Sequence, residues 1–235
     1  MPTDTSKGYV VFFDEFLGDL LDDAWGSSVD NCATAIIPTP DTAVTDGFVR
    51  LLTHCADNNM AEIGHSLSWR AQDGMMSMEV RVAMSAITTT SMSIGFNDDQ
   101  LEASNTLPVE LCGTTFTSNA ATFVGFVFDT DATNDNWHAF AVDDCTDTTT
   151  AIACLNTGKA PVAATYQTLK VVVHDRGACN MAYAEFFIDE ELVSSIACAV
   201  DRDAVLVPHI AAEARVGCAS RNHDVDYVEV MKSRA

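Results

Sequence analysis

The sequence predicts an all-β protein with two antiparallel sheets packed face to face, and three observations support this. Apolar residues alternate with more polar ones in residues 76–84 and again in residues 91–96, and a period of two indicates half-buried strands. Residues 185–196 (EFFIDEELVSSI) predict a β-hairpin, because two runs of strand formers flank an acidic turn. No long segment has helical periodicity. The residues predicted to face the core are Met76, Met78, Val80, Val82, Met84, Met92, Ile94 and Phe96.

The remaining elements follow from short apolar runs bounded by turn-forming residues. Strands are predicted at residues 9–16, 47–52, 122–128, 137–142, 168–174, 183–188, 192–198, 206–214 and 224–230, about a dozen in all. Residues 17–25 are predicted as a loop or single turn, with Trp25 over one end of the core. Residues 57–61 and 97–108 are predicted as polar loops, and residues 88–90 as the link of a hairpin.

The ends of the chain and its turns complete the predicted architecture. We expect the first and last strands to lie side by side in one sheet, and residues 129–136 and 143–150 to form acidic turns. Asp189 and Glu190 form the turn of the hairpin. Since Glu lacks the freedom of Gly at positive φ, a longer or different loop is expected there instead of a type I′ turn. Residues 1–8 form a flexible tail, and residues 9–235 form one domain.

The charge of the chain limits its partners. The sequence has 34 acidic and 12 basic residues, a formal net charge of −22. A nucleic-acid groove needs clustered Lys and Arg, so binding to DNA or RNA is not expected, and anionic membranes are disfavoured by the same repulsion. The first residues resemble no signal peptide. We therefore expect folding in a cytoplasm.

The eight cysteines allow two interpretations: Cys32, Cys55, Cys112, Cys145, Cys154, Cys179, Cys198 and Cys218. Folding in a cytoplasm favours reduced thiols that pack as small apolar side chains. Two pairs could still meet across hairpins, Cys145 with Cys154 and Cys179 with Cys198. The first pair is the favoured exception, because a short hairpin would bring its members together.

The closing strands resemble those of the concanavalin A-like lectin/glucanase jelly rolls, which end with an acidic hairpin and an Asp-Tyr-Val strand, here residues 226–228. Further motifs resemble a group of marine phage virion structural proteins: FDEFLGD at 13–19 before a Trp, GFNDD at 95–99, LPVEL at 107–111 and DTDATNDNWH at 129–138. This resemblance runs from about residue 11 to residue 230. It implies a jelly-roll fold and a role as a capsid decoration or head-surface protein.

Few residues are candidates for catalysis. Glucanases of this fold carry a Glu-x-Asp-x-x-Glu set on one strand, and that set does not occur here. The nearest substitute is Glu185 with Asp189, although Asp189 belongs to the turn. No catalytic, cofactor or metal residue is therefore predicted.

Some residues have the chemistry to bind a sugar or a metal ion. Trp69 or Trp137 could stack on a sugar ring, but a core position is favoured for both, and Trp137 and His138 must point to opposite faces of a strand. His54, His65, His174, His209 and His223 have no spacing typical of a metal site or triad. Calcium is a possible ligand at residues 97–99 or 129–135, since it binds carboxylate and carbonyl oxygens.

The predicted function is that of a non-enzymatic phage virion protein that decorates or cements the capsid. Its expected partners are the major capsid protein and neighbouring copies of itself, as a homotrimer on the virion surface. The first alternative is a carbohydrate-binding, lectin-like module for attachment to a host or glycan. The second is a glycoside hydrolase, which the missing carboxylates disfavour.

Overall fold

The computed structural model describes residues 8–17, 20–29, 47–54, 56–103, 106–144, 152–175, 181–215 and 220–233. These residues form sixteen β-strands and one short 3-10 turn at Ala71–Asp73. The strands are β1 (Tyr9–Asp14), β2 (Trp25–Val29), β3 (Val49–Thr53), β4 (Met60–His65), β5 (Met76–Met84), β6 (Thr90–Asn97), β7 (Val109–Cys112), β8 (Thr115–Ser118), β9 (Phe123–Asp129), β10 (His138–Val142), β11 (Ile152–Asn156), β12 (Gln167–His174), β13 (Met181–Ile188), β14 (Glu191–Asp201), β15 (Val207–Ala214) and β16 (Arg221–Ser233).

Two seven-stranded antiparallel sheets make up the sandwich. The terminal sheet has the order β1-β16-β5-β12-β13-β14, with β3 also pairing β16. The second sheet has the order β11-β10-β9-β6-β15-β4-β2, and β7 pairs with β8 in a separate hairpin. The first and last strands pair directly, from Tyr9 opposite Ser233 to Asp14 opposite Val228, as the sequence predicts.

The core lies between the two sheets and is filled by alternate residues of each strand. All eight residues predicted to face it are buried there. Trp137 and Phe126 of the second sheet belong to it, and the ring of Phe126 meets that of Phe186 in the terminal sheet edge-on at 5.4 Å. Each such aromatic side chain contributes about 2–3 kcal/mol by its burial, so this interface holds the sheets together.

Five strands are absent from the sequence prediction: β2, β4, β7, β8 and β11. The predicted loop at residues 57–61 is wrong at its end, because Met60 and Ala61 begin β4. The predicted hairpin between residues 76–84 and 91–96 is also wrong, because β5 and β6 lie in different sheets. Each strand buries one face in the shared core, but from a different sheet. The alternation of apolar residues does not tell which of the two sheets a strand belongs to.

The turn at Asp189 and Glu190 corrects a further expectation. Ile188 pairs with Glu191, so the loop has two residues, and both have positive φ, 50° and 68°. That is the backbone of a type I′ turn. Two hydrogen bonds to Thr168 hold it: the Asp189 N–H donates to the Thr168 carbonyl at 2.8 Å, and Asp189 Oδ1 accepts from the Thr168 N–H at 2.9 Å. These bonds offset the cost of placing Glu190 in the left-handed region.

Among the described residues, no helix has the length and apolar character needed to cross a membrane. The predicted tail, residues 1–8, falls outside the described residues except for Gly8.

Candidate functional site

The outer face of the second sheet is closed by one segment of the chain, which we call the cover (residues 98–103 and 106–122). The cover includes the β7–β8 hairpin. Its Val109 and Phe116 pack on Val127 and Phe140 of the sheet, and its Leu107 packs on Met60. This face consequently lies beneath protein along most of its width.

A glycine allows the cover to approach the sheet closely. A Cβ atom at Gly64 would lie 1.7 Å from the carbonyl oxygen of Gln100. The Gln100 side chain also donates from Nε2 to the Gly64 carbonyl at 3.1 Å. Only glycine at position 64 permits this contact.

A buried acid and a histidine meet under the cover. Glu62 on β4 and His209 on β15 are fully buried, and Glu62 Oε2 lies 2.7 Å from His209 Nε2. The same oxygen accepts a hydrogen bond from the Glu102 N–H of the cover at 3.1 Å. Within the part of the chain that the structure describes, Glu62 Oε1, His209 Nδ1 and the neighbouring Ser93 Oγ have no hydrogen-bond partner. Glu62 thus links the cover to the sheet by a hydrogen bond. The cover in turn excludes solvent from the Glu62–His209 pair.

A second buried cluster lies at the other end of β15. The Arg215 guanidinium contacts Asp129 Oδ2 at 2.5 Å and Glu213 Oε1 at 2.6 Å. Burial raises the pKa of Glu213 to about 7, although Arg215 acts in the opposite direction. Asp129 is the first acidic residue of the predicted calcium turn at 129–135, and its carboxylate is engaged by Arg215.

The other predicted calcium loop, residues 97–99, is held by an amide. Asn97 Nδ2 donates to the Asp99 carbonyl at 2.9 Å and to Glu102 Oε1 at 2.7 Å. Burial raises the pKa of both Asp98 and Glu102. Within the described ranges, no group of three or more His, Cys, Asp or Glu side chains is placed to hold a metal ion.

A pocket of about 390 Å³ lies where the cover ends, at the β10–β11 edge of the second sheet. Its lining comes from the β7–β8 hairpin, the turn after β9 and strands β10 and β11: Leu111, Thr114, Thr115, Phe116, Ala132, Thr133, Asn134, His138, Cys154 and Asn156. Hydroxyl, amide and imidazole groups therefore share the pocket with an aromatic ring, and none of these residues is Asp or Glu.

His138 and Asn156 contribute an imidazole and an amide to the pocket. The His138 ring lies 4.9 Å from that of Phe116, and burial lowers the pKa of His138, which keeps the imidazole neutral at pH 7. His138 Nδ1 has no hydrogen-bond partner among the described residues. Asn156 Oδ1 accepts from Asn136 Nδ2 at 3.0 Å and from the Gly158 N–H at 2.7 Å, which fixes its amide. These groups can bind a neutral, hydroxyl-bearing ligand.

The residues considered from the sequence lie mostly elsewhere. Glu185 lies on the outer face of the terminal sheet, 2.9 Å from His174 Nε2, whereas Asp189 is in the turn as expected. Trp69 and Trp137 are core residues, as favoured. His138 and Trp137 do point to opposite faces. Of the histidines named from the sequence, His209 is the one that contacts Glu62 among the described residues.

Sequence reasoning missed Glu62, Glu213 and Arg215, and gave His209 no role. A signal was present: β4 (MAEIGH) and β15 (VPHIAAEA) each carry one Glu and one His among otherwise apolar or small residues. A charged residue in a strand that is apolar on both faces indicates a buried pair.

The cysteines differ from their expected arrangement. Cys154 is free, so the favoured Cys145–Cys154 bridge is wrong. Its side chain packs against the outer-face cluster beside the pocket, and burial raises the pKa of its thiol to about 11. Cys198 is disulfide-bonded, an exception to the expected reduced thiols. Cys145 and Cys179, the other members of the two possible pairs, lie outside the described residues.

Within the described ranges no segment lies over the outer face of the terminal sheet, and this open face carries all four tyrosines of the chain. Tyr9 and Phe13 lie on β1, Tyr183 on β13 and Tyr227 on β16. Tyr166 reaches the same face, where the Arg81 guanidinium lies 4.3 Å from its ring centre. This face is a second candidate for binding.

Comparison with solved structures supports the fold. No protein-family model matches the chain, and no curated protein matches it in sequence. The Emp47p carbohydrate recognition domain superposes with a TM-score of 0.62 at 9% identity, covering 94% of both chains. Peanut lectin superposes with a TM-score of 0.54 at 12% identity, covering 95% of this chain and 97% of the lectin. The endo-β-1,4-glucuronan lyase of the fungus Trichoderma reesei gives 0.56 at 12% identity, covering 93% of this chain and 94% of the lyase. The chain therefore has the concanavalin A-like lectin/glucanase jelly-roll fold.

Proposed function

We propose that this chain is a non-catalytic carbohydrate-binding protein, and that the pocket at the β10–β11 edge receives the glycan. One observation carries the proposal: the pocket offers hydroxyl, amide and neutral imidazole groups beside an aromatic ring, and no carboxylate. Such groups bind sugar hydroxyls and stack on sugar rings, but they cannot supply the paired carboxylates of a glycosidase. The fold shared with the Emp47p carbohydrate recognition domain and peanut lectin supports it.

The closed outer face argues against catalysis on a polysaccharide. A chain laid along this face would have to displace the cover, which packs apolar side chains on the sheet and bonds to Glu62. The buried Glu62–His209 pair is thus a structural element of the proposed binding protein. We expect neither hydrolysis nor lyase cleavage of glucans, alginate or glucuronan by the purified protein.

A glycan array tests the proposal directly. Fluorescently labelled protein should bind a restricted set of glycans, and titration calorimetry with a positive glycan should show a loss of roughly 10-fold or more in affinity for Asn134→Ala and for Asn156→Ala, about the worth of one or two hydrogen bonds. Thr165→Ala, at an exposed position outside the pocket, is the matched control. Binding that both pocket variants retain in full would place the glycan elsewhere, and a blank array would remove the proposal.

A second candidate is a structural protein on a virus particle, a capsid decoration or cement protein that contacts the major capsid protein as a homotrimer. The observation that favours it is the open, tyrosine-bearing face of the terminal sheet, since tyrosine is enriched at protein interfaces. Co-sedimentation with purified capsids tests this candidate. A protein that binds glycans but no capsids would exclude it.

A further inference from the structure

The open face of the terminal sheet has a row of six side chains, one from each strand of its main path. The register places Phe13, Glu229, Glu79, Lys170, Phe187 and Leu192 in line across β1, β16, β5, β12, β13 and β14. At about 4.8 Å between strands, the row spans about 24 Å. Its two ends are exposed and apolar, with Phe13 49% and Leu192 52% accessible.

This face holds three basic residues, Arg50, Arg81 and Lys170, although the chain carries a net charge of −22. Three of its carboxylates are paired with cations: Glu79 with Lys170, Asp226 with Arg81, and Asp224 with Arg50. Two acidic molecules repel each other over most of their surfaces. A second copy can therefore approach most readily through this face.

The row is also self-complementary. Three strands of the path lie on each side of the line between β5 and β12. A two-fold axis along that line, parallel to the strands, places Glu79 opposite Lys170 of the second copy and Phe13 opposite Leu192 of the second copy. Glu229 then faces Phe187, so no like charges of this row oppose each other. An isologous contact repeats each of these pairs twice.

We propose that this protein forms a two-fold dimer in which the open faces of two terminal sheets pack on each other about the line between β5 and β12. The apolar ends of the row enclose the charged centre, and the tyrosines add large rigid surfaces with polar tips. A pocket of about 380 Å³ beside Lys170 and Phe187 lies opposite β16 of the second copy.

The central charges provide a test through a mixture of variants, because Glu79 and Lys170 also pair within each copy and only a mixture restores opposite charges between copies. Sedimentation equilibrium of the full chain should show a dimer. Glu79→Lys places two lysines opposite each other, and Lys170→Glu places two glutamates there, so each variant alone should raise the dissociation constant by roughly 10-fold or more. An equal mixture of the two variants restores opposite charges in both contacts. Native mass spectrometry should then show the mixed dimer in preference to either homodimer.

The apolar ends give an independent test that disturbs no ion pair. Leu192→Lys should weaken the dimer, whereas Leu155→Lys, at a 44% exposed position on β11 of the other sheet, should leave it unchanged. Thermal unfolding confirms that each variant folds. A monomeric or trimeric native protein would overturn the proposal, as would a dimer indifferent to Leu192→Lys or a mixture that fails to form the mixed species.

Discussion

Two histidine–glutamate pairs in this chain have nearly the same geometry and very different surroundings. His209 and Glu62 approach to 2.7 Å with no exposure, whereas His174 and Glu185 approach to 2.9 Å with about a quarter of each side chain exposed. Replacing one member of a buried pair leaves the other with no side chain opposite it in a dry site, which costs about 3–5 kcal/mol. Exposed pairs contribute about 0–1 kcal/mol.

We therefore expect His209→Leu to lower the free energy of unfolding by about 3 kcal/mol or more, and His174→Leu, its matched control, to lower it by less than about 1 kcal/mol. Urea denaturation at pH 7 measures both. Similar losses for the two variants would mean that burial of the pair does not determine its contribution.

Two buried groups titrate in opposite senses. Burial lowers the pKa of His223 to about 4 from its ordinary value of 6.5, and its Nε2 lies 2.8 Å from Thr90 Oγ1. Because the folded pKa lies below the unfolded one, the stability linked to His223 is present above pH 6.5 and is lost as the pH falls towards 4. The difference between the folded and unfolded pKa values of His223 corresponds to about 3 kcal/mol in the free energy of unfolding.

Glu213 acts in the opposite direction. Its pKa rises to about 7 from an ordinary 4.5, so the stability linked to it is present below pH 4.5 and is lost as the pH rises through 7. As the pH falls from 6.5 to 4, the free energy of unfolding of His223→Gln should rise by about 3 kcal/mol relative to that of the native protein. As the pH rises from 4.5 to 7, the free energy of unfolding of Glu213→Gln should rise by a similar amount relative to that of the native protein. Chemical denaturation across this range gives both differences. Parallel pH profiles for a variant and the native protein would rule out the corresponding shift.

At the scale of elements, the cover is the feature that distinguishes this sandwich from an open-grooved one. Its contact with Gly64 is backbone to backbone, so neither partner can give way by rotating a side chain. A Cβ atom at Gly26, on the adjacent strand β2, would meet only the side chains of Gln100 and Leu101, at 3.1 and 3.2 Å.

Gly64→Ala should therefore displace the cover, whereas Gly26→Ala, the control, should be accommodated. We expect Gly64→Ala to lower the free energy of unfolding by about 2 kcal/mol or more, because the added methyl group overpacks a rigid site. Gly26→Ala should lower it by less than about 1 kcal/mol, because flexible side chains can move aside. Limited proteolysis should cut the first variant near residues 98–103 sooner than the native protein. A Gly64→Ala protein as stable and as resistant as Gly26→Ala would show that the cover adapts.

The strands that could be predicted from the sequence are those with one apolar face packed on the core and the other face polar. In β5, five large apolar residues alternate with Ser77, Glu79, Arg81 and Ala83, and the predicted bounds match the observed strand. In β4 every residue is buried, because the cover lies on the face that would otherwise meet solvent, and alternation is lost. The buried Glu62–His209 pair could not be predicted for a related reason. In the sequence the two are isolated polar residues, and only the pairing of β4 with β15 brings them together. Pocket residues come from four separate segments, and only the tertiary structure shows them together.

For the whole molecule, the formal charge of −22 should make stability depend on ionic strength. Repulsion between carboxylates favours the expanded chain, and salt screens it over a Debye length of about 10 Å at 0.1 M. We expect the Tm to rise by about 2–4 °C from low to physiological salt, which corresponds to about 1 kcal/mol for a chain of this size.

The kind of salt separates screening from a cation site. Sodium and potassium chloride should act alike, because screening depends on ionic strength alone. Calcium chloride at the same ionic strength should raise the Tm no further if residues 97–99 and 129–135 are held by their hydrogen bonds, as Asn97 is by Glu102 and Asp129 is by Arg215. Differential scanning calorimetry measures all three series. A further rise in calcium that is lost in Asp98→Asn or Asp131→Asn would instead place a bound ion in the corresponding loop.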